Sequence, residues 1–200
     1  MNFKSTLWLN YLRPNLFVRD VSKINLTSLK ANGVKLIICD LDNTLVPHFN
    51  KFPNKFVYDF INNVKYEGLK IIIASNNTKT RVEKFVNKLQ ETTTIDGYLY
   101  SCKKPLVYKI KKYLKENNLS PSDTAIIGDQ FLTDIFLANR LQSKSILVIP
   151  MVDPNKSTSY NLLQKILEKF IYKKLQLENT SIQEEKNESD FEYEEEYELL

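Results

Sequence analysis

Glycine is almost missing from this 200-residue chain, which has only four. With lysine, asparagine and isoleucine abundant, the shortage reads as biased base composition rather than a functional signature. Cysteine is also rare. Cys39 lies inside an apolar run and Cys102 precedes two lysines, and neither belongs to a CxxC pair. That excludes a disulfide framework and argues against a zinc site, so a reducing cytosol is the expected compartment. The single histidine, His48, sits between Pro47 and Phe49 and is read as a loop residue rather than a ligand. No uninterrupted apolar run reaches the roughly 18 to 20 residues of a membrane helix. The first residues are broken by Lys4, Asn10, Arg13 and Pro14 and lack a small-residue cleavage site, so they read as neither signal peptide nor span.

What the chain does contain is enough for a core: 42% hydrophobic residues and 12% aromatics exclude wholesale disorder. A net charge of +4 conceals a division. From Gln183 to Leu200 there are nine acids against Lys186, which leaves 27 bases and 15 acids before them, a body at +12. Such a body suits an anionic partner: a phosphate ester, nucleic acid or anionic lipid. Residues 179–200 are expected to form a solvated, disordered tail. Residues 1–30, with Phe3, Leu7, Trp8, Tyr11, Leu12 and Phe17, are expected to pack on the core, with docking on a membrane surface as the alternative. One domain is expected between them, over residues 31–178.

In that domain, short continuous apolar runs alternate with helical patterns. Lys35–Cys39, Lys70–Ala74, Thr124–Ile127 and Ser145–Ile149 have strand length, and Tyr98–Tyr100 is a weaker fifth. Helical spacing marks Asn54–Tyr66, Thr80–Leu89 and Leu106–Leu114. Another helix, about Ser159–Leu175, gathers Leu162, Leu163, Ile166, Leu167, Phe170 and Ile171 on a face read as core, with Lys165, Lys169, Lys173 and Lys174 on or near the other. A basic amphipathic surface for anionic lipid is the alternative use of that helix. The alternation predicts an α/β fold, a parallel sheet with helices on both faces.

Ligands of open parallel sheets bind beyond the carboxyl ends of the strands. There the chain places Asp40, Asp42 and Thr44 after the first run, Ser75, Asn76 and Asn77 after the second, Lys103 and Lys104 after the weak one, and Asp129, Thr133 and Asp134 after the fourth. Singly, these are ordinary turn, cap and surface residues; their order carries the information. Converging carboxylates repel each other unless a hard cation joins them, and Mg²⁺ takes carboxylate oxygens together with water and phosphate. Asp40 and Asp129 are the expected carboxylate ligands, with a backbone carbonyl near Asp42 as the third. Asp40 is the candidate nucleophile towards phosphorus. Asp42, two residues on, is the candidate acid and base. Thr44, Ser75 and Asn76 are candidates to hold phosphate oxygens. A lysine balances charge, and Lys104 is preferred to Lys103 because Pro105 can open the next helix. Thr133 and Asp134 are expected behind the metal. Arg140 is read as a surface charge.

This motif set resembles the haloacid dehalogenase (HAD) superfamily. Asp40-Leu41-Asp42-Asn43-Thr44 is similar to its first motif, Ser75 to its second, Lys104 to its third and Gly128-Asp129 through Asp134 to its acidic fourth. The form is similar in particular to YqeG-type phosphatases of subfamily IIIA, from about Leu16 to Pro150. The resemblance implies a Rossmann-like HAD core, Mg²⁺-dependent phosphomonoester hydrolysis and the roles given to Asp40 and Asp42. Two features depart from it: the acidic tail, and a Lys103–Lys104 doublet that leaves the motif lysine open by one position.

About 30 residues separate Asp42 from Ser75, and a similar stretch separates Ser75 from Lys104. Neither has room for an inserted cap domain. An open site suits a phosphate on a large molecule. Resemblance to the YqeG type implies phosphatidylglycerophosphate as the leading substrate, and a cytoplasmic protein with peripheral contact at the inner face of the membrane as the lipid-linked option. The alternative from another class is a non-catalytic module binding RNA or a ribosomal partner.

Overall fold

The computed structural model describes residues 9–151 and 162–175, with side chains of the last helix from residue 166 onward. Phe3, Leu7, Trp8, the side chains of Leu162 and Leu163, and the acidic tail lie outside the described residues.

Six strands form one sheet: β1 (Leu16–Val18), β2 (Leu36–Cys39), β3 (Lys70–Ala74), β4 (Gly97–Leu99), β5 (Thr124–Gly128) and β6 (Lys144–Val148). Their order is β1-β6-β5-β2-β3-β4, and every pairing is parallel. Such a sheet is buried on both faces, which is why its inner strands are continuous apolar runs rather than alternating ones. Alternate residues feed different layers. Ile37, Cys39, Ile71, Ile73, Ala125 and Ile127 join one cluster, and Leu36, Ile38, Ile72, Ala74 and Ile126 the other.

Helix α1 (Leu26–Ala31) precedes β2 and buries none of its residues. Helices α2 (Lys55–Tyr66) and α3 (Lys79–Gln90) cover the first layer. Asn54 caps α2 by accepting from the Val57 amide, and Val57, Phe60, Ile61 and Val64 form its buried stripe. Thr78 caps α3, which buries Val82, Phe85, Val86 and Leu89. Helix α4 (Tyr108–Glu116) and helix α5 (Phe136–Leu141) cover the second layer. A turn of π-helix, Phe131–Ile135, leads into α5. Helix α6 (Leu162–Leu175) joins Leu12, Phe131, Ile135 and Leu147 in a third cluster. Between β2 and β3 the chain holds a loop and α2, and between β3 and β4 it holds α3, so no cap domain interrupts either connection.

Several expectations need revising. β1, inside the segment expected to pack or dock, is a strand. Three residues cannot display a period, and its place is fixed from outside by Ser145, whose amide donates to Asn15 Oδ1 at 2.8 Å while its carbonyl accepts from the Asn15 amide at 2.9 Å. Helix α4 begins at Tyr108, not at Pro105, which follows a cis peptide bond. Among the described side chains of α6 the buried ones are Glu168, Ile171 and Leu175, while Ile166 and Phe170 are 58% and 45% exposed. The helix thus turns Glu168 inward, to two backbone amides, and Ile166 and Phe170 outward.

Candidate active site

β2 is the strand at which chain direction across the sheet reverses: β3 and β4 follow on one side, β5 and β6 on the other. The crevice beyond its carboxyl end is therefore where this topology offers a site. Asp40 is the first residue past β2 and stays in register with β5, its amide donating to the Ile127 carbonyl at 2.9 Å. The chain then turns sharply. Asn43 takes a left-handed conformation (φ 67°), its amide donates to the Val46 carbonyl at 2.7 Å, and the Leu45 amide donates to Leu41 at 3.0 Å. Strand alternation ends at Cys39, so this turn, not a shared strand face, sets the direction of Asp42.

The structure brings Asp40, Asp129 and Asp134 together. All three are buried, with a carboxylate oxygen from each within 4.8 Å of the others. Lys104 enters this cluster, its Nζ 2.5 Å from Asp40 Oδ1 and 2.6 Å from Asp134 Oδ1. Lys103 is exposed and left-handed (φ 54°), so the ammonium in the site belongs to Lys104. The reason differs from the helix start inferred from sequence. The amide side chain of Asn76 donates to the Lys104 carbonyl at 3.3 Å and accepts from the Lys104 amide at 2.6 Å, which clamps that backbone. Asn76, expected at the substrate, is thus engaged with the lysine loop.

Gly128 is what lets Asp134 in. A Cβ there would lie 2.2 Å from Asp134 Cγ, inside any tolerable contact. Asp134 Oδ2 lies 3.1 Å from the Thr133 hydroxyl and accepts from the Gln130 amide at 3.3 Å. Thr44 donates to Asp129 Oδ1 at 3.3 Å, so its hydroxyl faces a carboxylate here. Ser75 Oγ accepts from the Asn77 amide at 3.0 Å, which leaves its hydrogen to donate to a phosphate oxygen.

Asp42 stands apart from the cluster. Its carboxylate accepts from Arg81 NH2 at 2.7 Å and from the Asn77 side chain at 3.1 Å. Arg81 also donates to the Asn50 carbonyl at 2.6 Å, tying the β2–α2 loop to α3. Arg81 and Glu168 are site residues that sequence reasoning missed, since each acts through a partner dozens of positions away; Asn77, placed at the strand end by the sequence but given no role, proves to be a partner of Asp42. Glu168 accepts from the amides of Phe131 and Leu132 at 3.2 and 3.3 Å, capping the π-turn that carries Asp134. His48 lies on the loop with Nδ1 3.4 Å from Asn43 Oδ1. Arg140, exposed, reaches the Pro105 carbonyl at 3.2 Å.

Burial pushes the Asp40 carboxyl up to about 7; Asp134 and Asp42 add repulsion and Lys104 opposes them. Burial works against the Lys104 ammonium, but Asp134 and Asp40 outweigh it and hold its pKa above the ordinary range. Glu168 is pushed up to about 7 by burial, against the pull of its two amide donors. Burial raises both thiols, Cys102 to about 11, so neither is a reactive nucleophile.

Three buried carboxylates and one ammonium sum formally to minus two when ionised. Their donors are hard oxygens converging from two loops. This set fits a divalent cation of the Mg²⁺ type through Asp40, Asp129 and Asp134. The Asp42 carboxylate, turned to Arg81, is not in it.

Residues 5–152 match the family described as mitochondrial PGP phosphatase. The chain is 33% identical over 141 residues to the probable phosphatase YqeG of Bacillus subtilis, covering 70% of this chain and 79% of that protein. It is 28% identical over 125 residues to the mitochondrial phosphatidylglycerophosphatase GEP4 of Saccharomyces cerevisiae, covering 58% of this chain and 68% of that one. Among solved structures it is similar to an uncharacterized protein from Listeria monocytogenes, with a TM-score of 0.49 and 20% identity over 57% of this chain and 78% of that one.

Proposed function

This chain belongs to the mitochondrial PGP phosphatase family, and from that premise we propose a Mg²⁺-dependent hydrolase that works through an aspartyl-phosphate on Asp40 and takes phosphatidylglycerophosphate as substrate. As a member it is a phosphoric monoester hydrolase, so the alternative of a non-catalytic module for RNA or a ribosomal partner gives way. The observation that carries the mechanism is Lys104 bridging Asp40 and Asp134 beside Asp129, all buried at the reversal point of the sheet.

The Asp40 carboxylate attacks phosphorus, a P–O bond forms, and the bond to the leaving oxygen breaks as Asp42 gives that oxygen its proton. Water then attacks the same phosphorus, Asp42 takes its proton, and the P–O bond to Asp40 breaks to free phosphate. Lys104 holds Asp40 in place and offsets charge, while Ser75 would donate to a non-bridging oxygen. Asp40, Asp129 and Asp134 would hold Mg²⁺, which when bound supplies the positive charge that lets a phosphate dianion approach ionised carboxylates.

The lipid substrate is supported by the family and by the relative in Saccharomyces cerevisiae, a phosphatidylglycerophosphatase by name. The absence of a cap over β2–β4 leaves room for a large substrate. Phosphate release is the test, in Mg²⁺ and in EDTA, with phosphatidylglycerophosphate in mixed micelles, p-nitrophenyl phosphate and a phosphopeptide. Mg²⁺-dependent release that falls at least about a thousandfold in Asp40→Asn, with the lipid preferred, is expected. Release that survives Asp40→Asn sinks the aspartyl-phosphate, and preference for the phosphopeptide sinks the lipid assignment.

A further inference from the structure

Large apolar side chains stand in solvent around the mouth of the site. Phe49 and Phe52, on the loop between β2 and α2, are 63% and 48% exposed. Leu106 and Tyr108, two and four residues past Lys104, are 55% and 74% exposed. Single exposed apolar residues are ordinary on any protein; what matters here is where these four lie. All belong to connections that leave the carboxyl ends of β2 and β4, the edge of the sheet on which the site opens.

Charge in the loops around the site is sorted. In the loops that follow β2, β3 and β4, residues 40–54, 75–78 and 100–107, the only acids are Asp40 and Asp42, one buried in the cluster and the other paired with Arg81. The exposed charges of those loops are Lys51 and Lys103. At the opposite edge carboxylates reappear: Glu67 and Glu91 end α2 and α3, and Asp96 and Asp123 precede β4 and β5.

The exposed tips are also braced. Arg81 donates to the carbonyls of Asn50 and Lys51, at 2.6 and 3.4 Å, fixing the stretch between Phe49 and Phe52. The Lys84 ammonium lies 5.1 Å from the centre of the Phe52 ring. On the other side, Asn76 clamps the Lys104 backbone and Arg140 holds the Pro105 carbonyl, just before Leu106.

We infer that this rim is a docking surface for an anionic lipid bilayer, with Phe49, Phe52, Leu106 and Tyr108 entering the interface and Lys51 and Lys103 meeting the headgroups. Hydrocarbon beneath a negatively charged layer is the one common surface that rewards aromatic and aliphatic tips set beside lysines. A nucleic acid would use the lysines and stack on the rings, but it offers nothing to Leu106. The inference deepens the lipid reading above and rests on it: docking by this edge delivers a phosphate at the bilayer surface directly to Asp40.

The experiment is co-sedimentation of the full chain with vesicles of phosphatidylcholine, alone or with about a third phosphatidylglycerol, which contain no substrate. Binding only to the anionic vesicles, weakened by salt, is expected. Phe49→Ser/Phe52→Ser/Leu106→Ser should weaken binding at least tenfold while keeping the thermal midpoint and the p-nitrophenyl phosphate activity of the wild type. Ile166→Ser/Phe170→Ser, on the exposed face of α6, should leave binding intact. Wild type that stays off anionic vesicles overturns the proposal, as does a triple variant that binds unchanged or binding lost only in the α6 pair. Vesicle binding by a protein inactive on phosphatidylglycerophosphate would leave the docking surface standing and remove the substrate instead.

Discussion

The Asp42 carboxylate is held 2.7 Å from Arg81 and 3.1 Å from the Asn77 side-chain amide, an arrangement that fixes its direction. An acid that must hand a proton to a leaving oxygen gains from being aimed. Arg81 is therefore a positioning residue, and its removal should depend on the leaving group. Arg81→Ala is expected to lower kcat/KM about 10- to 100-fold on an alkyl phosphomonoester, within the range that general acid catalysis supplies. The loss on p-nitrophenyl phosphate, whose leaving group needs little protonation, should be several-fold smaller. Equal losses on both substrates would mean that Arg81 only braces the loop. At this scale the sequence exposes the residues that stand at strand ends. Asp40, Ser75, Lys104 and Asp129 are visible because an apolar run stops abruptly at or just before a polar group. Arg81 is not, since nothing in the first turn of a helix announces a partner 39 positions earlier.

Among the elements, α6 and the π-turn form one unit through Glu168, which caps the Phe131 and Leu132 amides. Its folded pKa, about 7, lies above the ordinary 4.5, so the folded state holds this proton more tightly than the unfolded one. The contribution to stability is present below pH 4.5 and is lost as pH rises towards 7, a span of up to about 3 kcal/mol. Glu168→Gln removes the titration. Its thermal midpoint, measured from pH 4.5 to 8, should fall less steeply than that of the wild type; parallel curves would refute the assignment. The longer helices are legible from their stripes, as Val57, Phe60, Ile61 and Val64 demonstrate for α2. The rotation of α6 is not, because a buried glutamate defeats a reading based on hydrophobicity. The π-turn, which carries Asp134 over Gly128, is equally silent, having no side-chain period of its own.

For the whole molecule, a cation taken up by the net negative cluster would be linked to folding. Mg²⁺ at about a hundredfold excess over its Kd should stabilise the native state by about 2.7 kcal/mol, a rise of several degrees in thermal midpoint for a chain of this length. Asp129→Asn should remove most of that rise, and a wild-type midpoint indifferent to Mg²⁺ would exclude the site. Layering and fold class follow from alternating strand and helix patterns, but strand order does not. Nothing local in Leu16–Val18 says that it will lie beside residues 146–148.

That pairing has a consequence in time. Among the described strands a ribosome releases β1 first and β6 last, yet β6 is the only one of them that β1 pairs with. Roughly 125 residues must be added between the two, and at about 5–20 residues per second the wait is on the order of ten seconds. Throughout it, the nascent chain carries Phe17 and Val18 with no ladder to join, while β2 and β3 can already pair. The edge made first is closed last.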